Sequence, residues 1–165
     1  MLEADFERLY AEHAKPLLRF LTYRTGDSVL AEDLVAETFE RILRTRWRFD
    51  PRRGSEKTWV YTVAISRLRD HARRRSAEGR ALEKSVAGGP QAASGWEGTV
   101  EDRDALERAM ESLNAEEREC IALRYGADLT IPEIARVVGE SRSTVHGRVY
   151  RGLRKLREEL GYEGT

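Results

Sequence analysis

Residues 130–151 read TIPEIARVVGESRSTVHGRVYR, which is two short helical patterns separated by a turn. Thr130 and Glu133 have the spacing of a capping box, and Ser141 is a suitable N-cap residue for the second helix. Gly139 lies between them, where helices commonly end in a left-handed residue. This order predicts a helix-turn-helix, a motif whose second helix enters the major groove of duplex DNA.

The exposed face of that second helix offers hydroxyl and basic side chains, which are suited to phosphates and base edges. We predict that duplex DNA is contacted by Arg142, Ser143, Thr144, His146, Gly147, Arg148 and Arg151. A glycine inside a helix lowers the helix propensity of that segment. We infer that Gly147 is present because the helix backbone approaches another group closely at this position. The alternative is an ordinary helical hairpin with a solvated basic face.

Outside this motif, apolar residues recur at helical spacing through most of the chain, and no strict alternation indicates a strand. Residues 77–98 have no such period and contain Gly88-Gly89-Pro90, which is typical of a flexible linker. The fold class is therefore predicted to be all-α. Two small helical domains, residues 1–76 and 99–165, are joined by the linker at 77–98, and the second domain carries the helix-turn-helix.

The chain has 165 residues and a single cysteine, Cys120, which excludes an internal disulfide framework and a thiolate zinc cluster. No apolar run approaches the roughly 20 residues of a membrane-spanning helix. No nucleophile motif, phosphate loop or metal-ligand spacing is present. We therefore expect a cytoplasmic protein without membrane insertion that is not an enzyme and needs neither a metal nor a cofactor.

Lys and Arg number 29 and balance 29 Asp and Glu, so the formal net charge is zero. As a total, this argues against nucleic-acid binding, which usually requires a basic domain. The charges are strongly segregated, however: residues 25–43 have five acids and one base, and residues 44–80 have twelve bases and four acids. Residues 81–118 are acidic again, and residues 141–165 have six bases and three acids. Such a polarised chain is suited to several different binding surfaces.

Two features of the N-terminal half fit this segregation. Asp33, Glu37 and Glu40 are spaced i, i+4 and i+7, which places them on one face of a predicted helix. The following loop and helix combine arginines and Lys57 with aromatic side chains such as Trp59. Basic side chains interleaved with aromatic side chains are typical of proteins that bind single-stranded nucleic acid. Trp59, however, also fits the apolar stripe of its helix.

Taken in order, these segments resemble the bacterial extracytoplasmic-function sigma factors of the sigma-70 family. The resemblance is carried by Ala31-Glu32-Asp33-Leu34-Val35-Ala36-Glu37-Thr38-Phe39, Phe49-Asp50, Arg53-Gly54, Thr58-Trp59-Val60-Tyr61 and Arg73-Arg74-Arg75. In the second half it is carried by Glu116-Glu117-Arg118, Leu123-Arg124-Tyr125, Leu129-Thr130-Ile131-Pro132-Glu133-Ile134-Ala135 and Ser141 to Arg157. It covers nearly the whole chain outside the predicted linker.

The resemblance implies a division of labour among the charged segments. It assigns the acidic face of Asp33, Glu37 and Glu40 to the clamp helices of the β′ subunit of core RNA polymerase. It assigns reading and melting of the promoter −10 element to the loop and third helix, through Phe49, Arg52, Arg53, Ser55, Lys57, Trp59, Ser66, Arg69 and Arg73. The helix-turn-helix would read the −35 element of promoter DNA and rest on the β flap, and an anti-sigma factor is a further expected partner.

Three departures from the family pattern bear on specificity. Ala36 replaces the usual glutamine of the polymerase-binding helix, Ser66 replaces a common asparagine, and His146-Gly147 replaces a basic residue followed by serine. Two other functions stay open at the level of sequence: a helix-turn-helix regulator that acts without sigma activity, and an adaptor that only sequesters a partner. The regulator has no use for the acidic face together with the basic, aromatic loop. The adaptor predicts that DNA binding is not lost when Arg148 and Arg151 are replaced by alanine.

Overall fold

The computed structural model describes residues 3–78 and 99–162, and every regular element within them is helical. The first unit contains α1 (Glu3–Thr25), α2 (Ser28–Thr45), a 3-10 turn (Arg46–Arg48) and α3 (Glu56–Ala77). The second unit contains α4 (Val100–Glu111), α5 (Ala115–Ile121), a π-helical turn (Ala122–Gly126), α6 (Ile131–Val138) and α7 (Arg142–Glu159). The all-α prediction is confirmed. From residue 79 onward, the predicted linker lies outside the described residues.

Short polar side chains fix where most of these helices begin. The Asp27 carboxylate accepts hydrogen bonds from the backbone N–H groups of Val29 and Leu30, and Ser55 caps α3. Reciprocal capping boxes start α4, α5 and α6, at Thr99–Asp102, Asn114–Glu117 and Thr130–Glu133. Each cap satisfies backbone donors that have no partner inside the helix. The helix start predicted from the Thr130 and Glu133 capping box is confirmed.

The first unit has a core of buried leucine, isoleucine and aromatic side chains from all three of its helices. Leu17 and Leu21 of α1 and Leu34 and Ile42 of α2 are at most 1% exposed. Tyr61 of α3 meets Phe20 edge to face, with ring centroids 5.3 Å apart. Burial raises the pKa of Tyr61 to about 12, so its hydroxyl stays protonated at physiological pH.

The second unit depends on a close crossing of α5 and α7. Gly152 of α7 is buried against Ile121, and a Cβ at Gly152 would lie 2.9 Å from Ile121 Cγ1. Only glycine allows the two helices to approach this closely. Val145 and Val149 lie on the same face of α7, two turns and one turn before Gly152, and are buried as well. This face of α7 also packs against α6. Together these contacts hold the exposed face of α7 in place.

The two units are in contact with each other through α3 and α6. Because α3 carries predicted −10 residues and α6 is the first helix of the helix-turn-helix, this packing brings the two predicted DNA-binding elements together.

Candidate polymerase and nucleic-acid interfaces

The acidic side chains of α2 lie on its solvent-exposed face. Asp33, Glu37 and Glu40 are all exposed, while Leu34 and Ile42 of the same helix are in the core. Glu40 forms an ion pair with Arg44 one turn later, with 2.6 Å between Oε1 and Nη2. Asp33 and Glu37 form no ion pair among the residues that the structure describes. Two of the three carboxylates are therefore free to meet a partner.

The loop between the 3-10 turn and α3 is organised around two stacked rings. Phe49 and Trp59 have centroids 5.1 Å apart and an interplanar angle of 29°. Both are partly buried, and Trp59 also packs against the core. Asp50 Oδ1 accepts hydrogen bonds from the backbone N–H and from Nε of Arg52, at 3.0 and 3.3 Å. Arg53, like Arg52, is exposed, so the loop presents guanidinium groups beside a ring pair.

Farther along α3, Ser66 is exposed, and Arg73 is 75% exposed at its side chain. Arg73 forms an ion pair with Asp70, whose second carboxylate oxygen is 3.8 Å from Arg67 Nη2. The hydrogen bond from Arg73 lowers the pKa of Asp70 below its ordinary value. One of the predicted phosphate-binding arginines is thus paired with a carboxylate on its own helix.

Two predicted −10 residues, Lys57 and Arg69, contact the second unit. Lys57 Nζ donates to the backbone carbonyl of Asp128 at 3.4 Å. Arg69 Nη1 donates to the carbonyl of Val138 at 3.2 Å, and its Nη2 is 3.3 Å from Glu119 Oε2. Next to Lys57, Thr58 lies 3.4 Å from Glu133 of α6. In this arrangement Lys57 and Arg69 join the two units.

The loop before α3 takes part in the same contact. A Cβ at Gly54 would lie 3.1 Å from Arg136 Nη1, so the guanidinium of Arg136 rests close to the loop backbone. Burial raises the pKa of Glu133, but its hydrogen bonds to Thr130 and Thr58 and the charge of Lys57 leave that pKa below its ordinary value. Glu133 is therefore a carboxylate between the units as well as a helix cap.

The helix-turn-helix has the predicted geometry. Gly139 ends α6 with φ of 75°, a left-handed conformation that glycine adopts without strain. Ser141 Oγ accepts the backbone N–H of Thr144 at 3.1 Å and starts α7. Arg142, Ser143 and His146 are exposed on the first two turns of α7. These three side chains and the half-buried Thr144 share the helix N-terminus, where the helix dipole favours a phosphate.

Arg148 and Arg151, unlike Arg142, form ion pairs with carboxylates of the second unit. The side chain of Arg148 is only 14% exposed, and its Nη2 is 3.4 Å from Glu116 and 3.3 Å from Glu140. Burial lowers the pKa of Arg148, but these two carboxylates outweigh it and leave the pKa above its ordinary value. Arg151 Nε is 3.6 Å from Glu117, and a Cβ at Gly147 would lie 3.0 Å from Arg151 Nη1. Gly147 thus leaves room for the Arg151 guanidinium.

Sequence reasoning missed the role of Glu119. Its carboxylate is 13% exposed and lies 3.4 Å from Arg24 of α1 as well as 3.3 Å from Arg69 of α3. No sequence signal marks it, because its partners are 95 and 50 residues away along the chain. Cys120, the next residue, is buried, and burial raises the pKa of its thiol.

The described part of the chain holds neither a cluster of metal-binding side chains nor a helix that could span a membrane. No group of three or more His, Cys, Asp or Glu side chains there is placed to hold a metal ion. None of the described helices combines the length and the hydropathy that crossing a bilayer requires.

Comparison with known proteins identifies the family. Residues 9–78 match sigma-70 region 2, and residues 109–158 match sigma-70 region 4. The ECF RNA polymerase sigma factor BldN of Streptomyces coelicolor is 32% identical over 93% of this chain, which spans 60% of that protein. The sigma factor SigL of Mycobacterium tuberculosis is 33% identical, over 93% of this chain and 89% of its own length.

A solved structure resembles the whole described arrangement. RpoE of Bartonella quintana, in complex with the anti-sigma factor NepR, superposes with a TM-score of 0.77 at 25% identity, over 97% of this chain and 99% of the other. Because the matches extend through both units, a helix-turn-helix regulator without sigma activity is not favoured. The chain belongs to the extracytoplasmic-function sigma factors of the sigma-70 family, the RNA polymerase-binding factors that direct transcription initiation.

Proposed function

We propose that this sigma factor docks on the clamp helices of the polymerase β′ subunit through Asp33, Glu37 and Glu40. The observation that carries this assignment is the solvent-exposed acidic face of α2, on which Asp33 and Glu37 have no ion-pair partner among the described residues. Like-signed charges on one rigid helix steer a basic partner and fix its orientation. Ala36 is exposed beside them and offers no polar contact.

Promoter reading is divided between the two units. The −10 element is read as a single strand by Phe49, Arg52, Arg53, Ser55, Lys57, Trp59, Ser66, Arg69 and Arg73. The −35 element is read as duplex by Arg142, Ser143, Thr144, His146, Gly147, Arg148 and Arg151, while the second unit rests on the β flap. Since Lys57 and Arg69 join the units, they become available to DNA only after α3 and α6 separate. Binding of core polymerase, in the cytoplasm, supplies the free energy for this separation.

Transcription with purified components tests this function. Core polymerase with the chain is used to select promoters from a random DNA library, and run-off transcription is then measured on the selected sequence. We expect transcripts that depend on this chain and start at one position. A library that yields no enriched bipartite sequence and no chain-dependent transcript would contradict the proposal.

The polymerase contact is tested separately by reversing charges on α2. Asp33→Arg with Glu37→Arg is expected to weaken core binding about tenfold or more, because both unpaired carboxylates are replaced by the wrong charge. Glu7→Arg is the matched control, since Glu7 is an exposed carboxylate on α1 of the same unit. Equal core affinity of the double variant and the control would exclude this face of α2 as the docking site.

An anti-sigma factor is the second proposed partner. What supports it is the likeness to RpoE, whose solved structure contains the anti-sigma factor NepR and whose two regions superpose on this chain. Such a partner holds the chain in an arrangement in which core polymerase cannot engage both units. The test is competition: a protein from the same organism that binds the chain must displace it from core polymerase and stop run-off transcription. A binder that leaves transcription unchanged is not an anti-sigma factor.

A further inference from the structure

Trp47 is a large aromatic side chain that the fold does not use. It lies in the 3-10 turn between α2 and the loop of Phe49 and is 72% exposed. Leu43, one turn earlier, is the neighbouring exposed apolar residue, at 40%. A tryptophan left this accessible buries little apolar area, so packing does not account for it.

Trp47 lies in an arginine-rich stretch of the chain, and one of these arginines contacts its ring. The Arg48 guanidinium carbon lies 4.8 Å from the centroid of the Trp47 ring, which is cation–π geometry. Residues 44–53 contain five arginines and one acid, and that acid, Asp50, is paired with Arg52. Arg44 is paired with Glu40, and Arg46 donates to the carbonyl of Leu43. Arg46, Arg48 and Arg53 thus have no carboxylate partner among the described residues.

We propose that Trp47 is a stacking platform for an unpaired base of the promoter, with Arg46 and Arg48 beside it at the phosphates. An exposed ring flanked by arginines matches the chemistry of single-stranded DNA, in which each nucleotide offers a π face and a negative charge. The Trp47 platform adds a base contact to those of the proposed −10 residues. This inference rests on the proposed function.

The charge pattern favours DNA over a protein partner. A protein-binding aromatic is often part of a contiguous apolar patch. Trp47 instead has Arg48 over its ring, and Arg46 and Arg53, neither with a carboxylate partner among the described residues, lie within six positions of it in the sequence. The nearby Phe49 and Trp59 rings are stacked on each other and partly buried, so Trp47 is the more accessible ring on this side of the first unit.

The test uses holoenzyme assembled from core polymerase and the full chain, with forked promoter DNA whose non-template strand is single-stranded across the −10 element. Wild type is compared with Trp47→Ala, Trp47→Phe and the control Tyr162→Ala, since Tyr162 is also 72% exposed but lies in the second unit. We expect Trp47→Ala to weaken binding of the forked DNA about tenfold, as loss of one base stack implies. Trp47→Phe retains most of the affinity, and Tyr162→Ala changes nothing.

Two further measurements assign the contact. Removing one base at a time from the single strand should reveal a position whose loss weakens wild type but not Trp47→Ala. Arg48→Gln should reduce the slope of log affinity against log salt by about 0.7, the loss of one single-strand phosphate contact.

The outcomes separate this inference from the function beneath it. If Trp47→Ala binds forked DNA as tightly as wild type, the inference about Trp47 is wrong. If transcription still depends on the chain in that case, the proposed sigma function is unaffected. Weaker binding of Trp47→Ala to core polymerase also overturns the inference, because Trp47 then contacts protein. If wild-type holoenzyme fails to bind forked promoter DNA at all, both are overturned together.

Discussion

Arg69 of α3 and Glu119 of α5 form an ion pair between the two units, with 3.3 Å between Nη2 and Oε2. The other oxygen of Glu119 is 3.4 Å from Arg24, so one carboxylate is shared by arginines from α1 and α3. Arg69 also donates to the carbonyl of Val138 at the end of α6. A residue assigned to promoter DNA therefore holds the units together when DNA is absent.

Glu119→Gln is expected to shift the chain toward an open arrangement. The substitution keeps the shape of the side chain but removes the charge that attracts Arg24 and Arg69, and charge-assisted hydrogen bonds contribute about 1.5–3 kcal/mol. The ratio of closed to open molecules should fall about tenfold. Energy transfer between dyes at Val29→Cys and Tyr162→Cys measures the separation, because both positions are exposed and Cys120 is buried.

The control for this experiment is Glu158→Gln. Glu158 is exposed and, within the ranges 3–78 and 99–162, pairs with Arg154 of its own helix at 3.9 Å, so its replacement should leave the separation of the units unchanged. The Glu119 variant should also bind single-stranded DNA more tightly than wild type as a free chain, because Arg69 is released. An unchanged dye separation in Glu119→Gln would show that this ion pair does not control closure.

Arg142 and Arg148 are expected to respond differently to alanine although both belong to the predicted −35 reader. Arg142 is exposed and forms no ion pair among the described residues, so Arg142→Ala should leave stability within about 0.5 kcal/mol of wild type. It should lower duplex affinity and reduce the salt slope by about one. Arg148→Ala should instead cost about 1 kcal/mol of stability, because it breaks the pairs with Glu116 and Glu140.

Urea unfolding and duplex-binding titrations across salt concentrations measure these two effects. If Arg148→Ala lowers duplex affinity and the salt slope as Arg142→Ala does, with no loss of stability, then Arg148 leaves its two carboxylates for a phosphate in the complex. The difference between the variants therefore reports whether the ion pairs seen here persist on DNA.

The features that could be predicted from sequence are local ones. Helix starts are marked by pairs of residues three apart, Thr130 with Glu133 and Ser141 with Thr144. The helical spacing of the apolar residues then predicts the helix that follows each start. The spacing of Asp33, Glu37 and Glu40 within one helix likewise predicts that they share a face, and all three are exposed on α2. These signals suffice for an all-α chain with a helix-turn-helix.

What could not be predicted depends on contacts between distant residues. The partner of Lys57 is a backbone carbonyl 71 residues away, and nothing in the sequence near Lys57 indicates it. The same holds for Arg148, whose burial follows from the packing of α7 beside the start of α5. The sequence alone does not distinguish an exposed arginine from one that is paired with a carboxylate on a distant helix.

Glu117 is expected to make the stability of the second unit depend on pH in the acidic range. Burial raises the pKa of Glu117, but its hydrogen bonds to Lys155, 2.7 Å away, and to Asn114, with the charge of Arg151, leave the pKa below its ordinary value of 4.5. The folded state therefore binds this proton less readily than the unfolded state does. The stabilisation is complete above about pH 4.5 and is lost as the pH falls through the lowered pKa.

Unfolding in urea at a series of pH values between 3 and 7 measures this dependence. Glu117→Gln should lose about 2 kcal/mol at pH 7, less than a fully buried pair would, because Lys155 is one-third exposed. Its stability should then vary less than that of wild type below pH 4.5. Glu111→Gln is the control, since Glu111 is exposed at the end of α4. Parallel curves for wild type and Glu117→Gln would contradict the assignment.

Gly147→Ala and Gly152→Ala are expected to change stability in opposite directions although both glycines lie in α7. At Gly147 a new Cβ would meet only the end of the flexible Arg151 side chain, at 3.0 Å, so the arginine can move aside. The helix then gains about 0.5–1 kcal/mol, the propensity difference between the two residues. At Gly152 the Cβ would lie 2.9 Å from Ile121 in the core, and overpacking should cost about 1–3 kcal/mol.

Thermal unfolding of the two variants measures these changes, and duplex binding measures their effect on function. Displacing Arg151 from Gly147 should also alter the affinity for a selected −35 duplex, whereas folded Gly152→Ala should bind it as wild type does. If Gly147→Ala instead destabilises the chain as much as Gly152→Ala, the Arg151 guanidinium is held firmly over Gly147 by Glu117. The absence of a side chain at this position would then be a requirement of packing and not of DNA recognition.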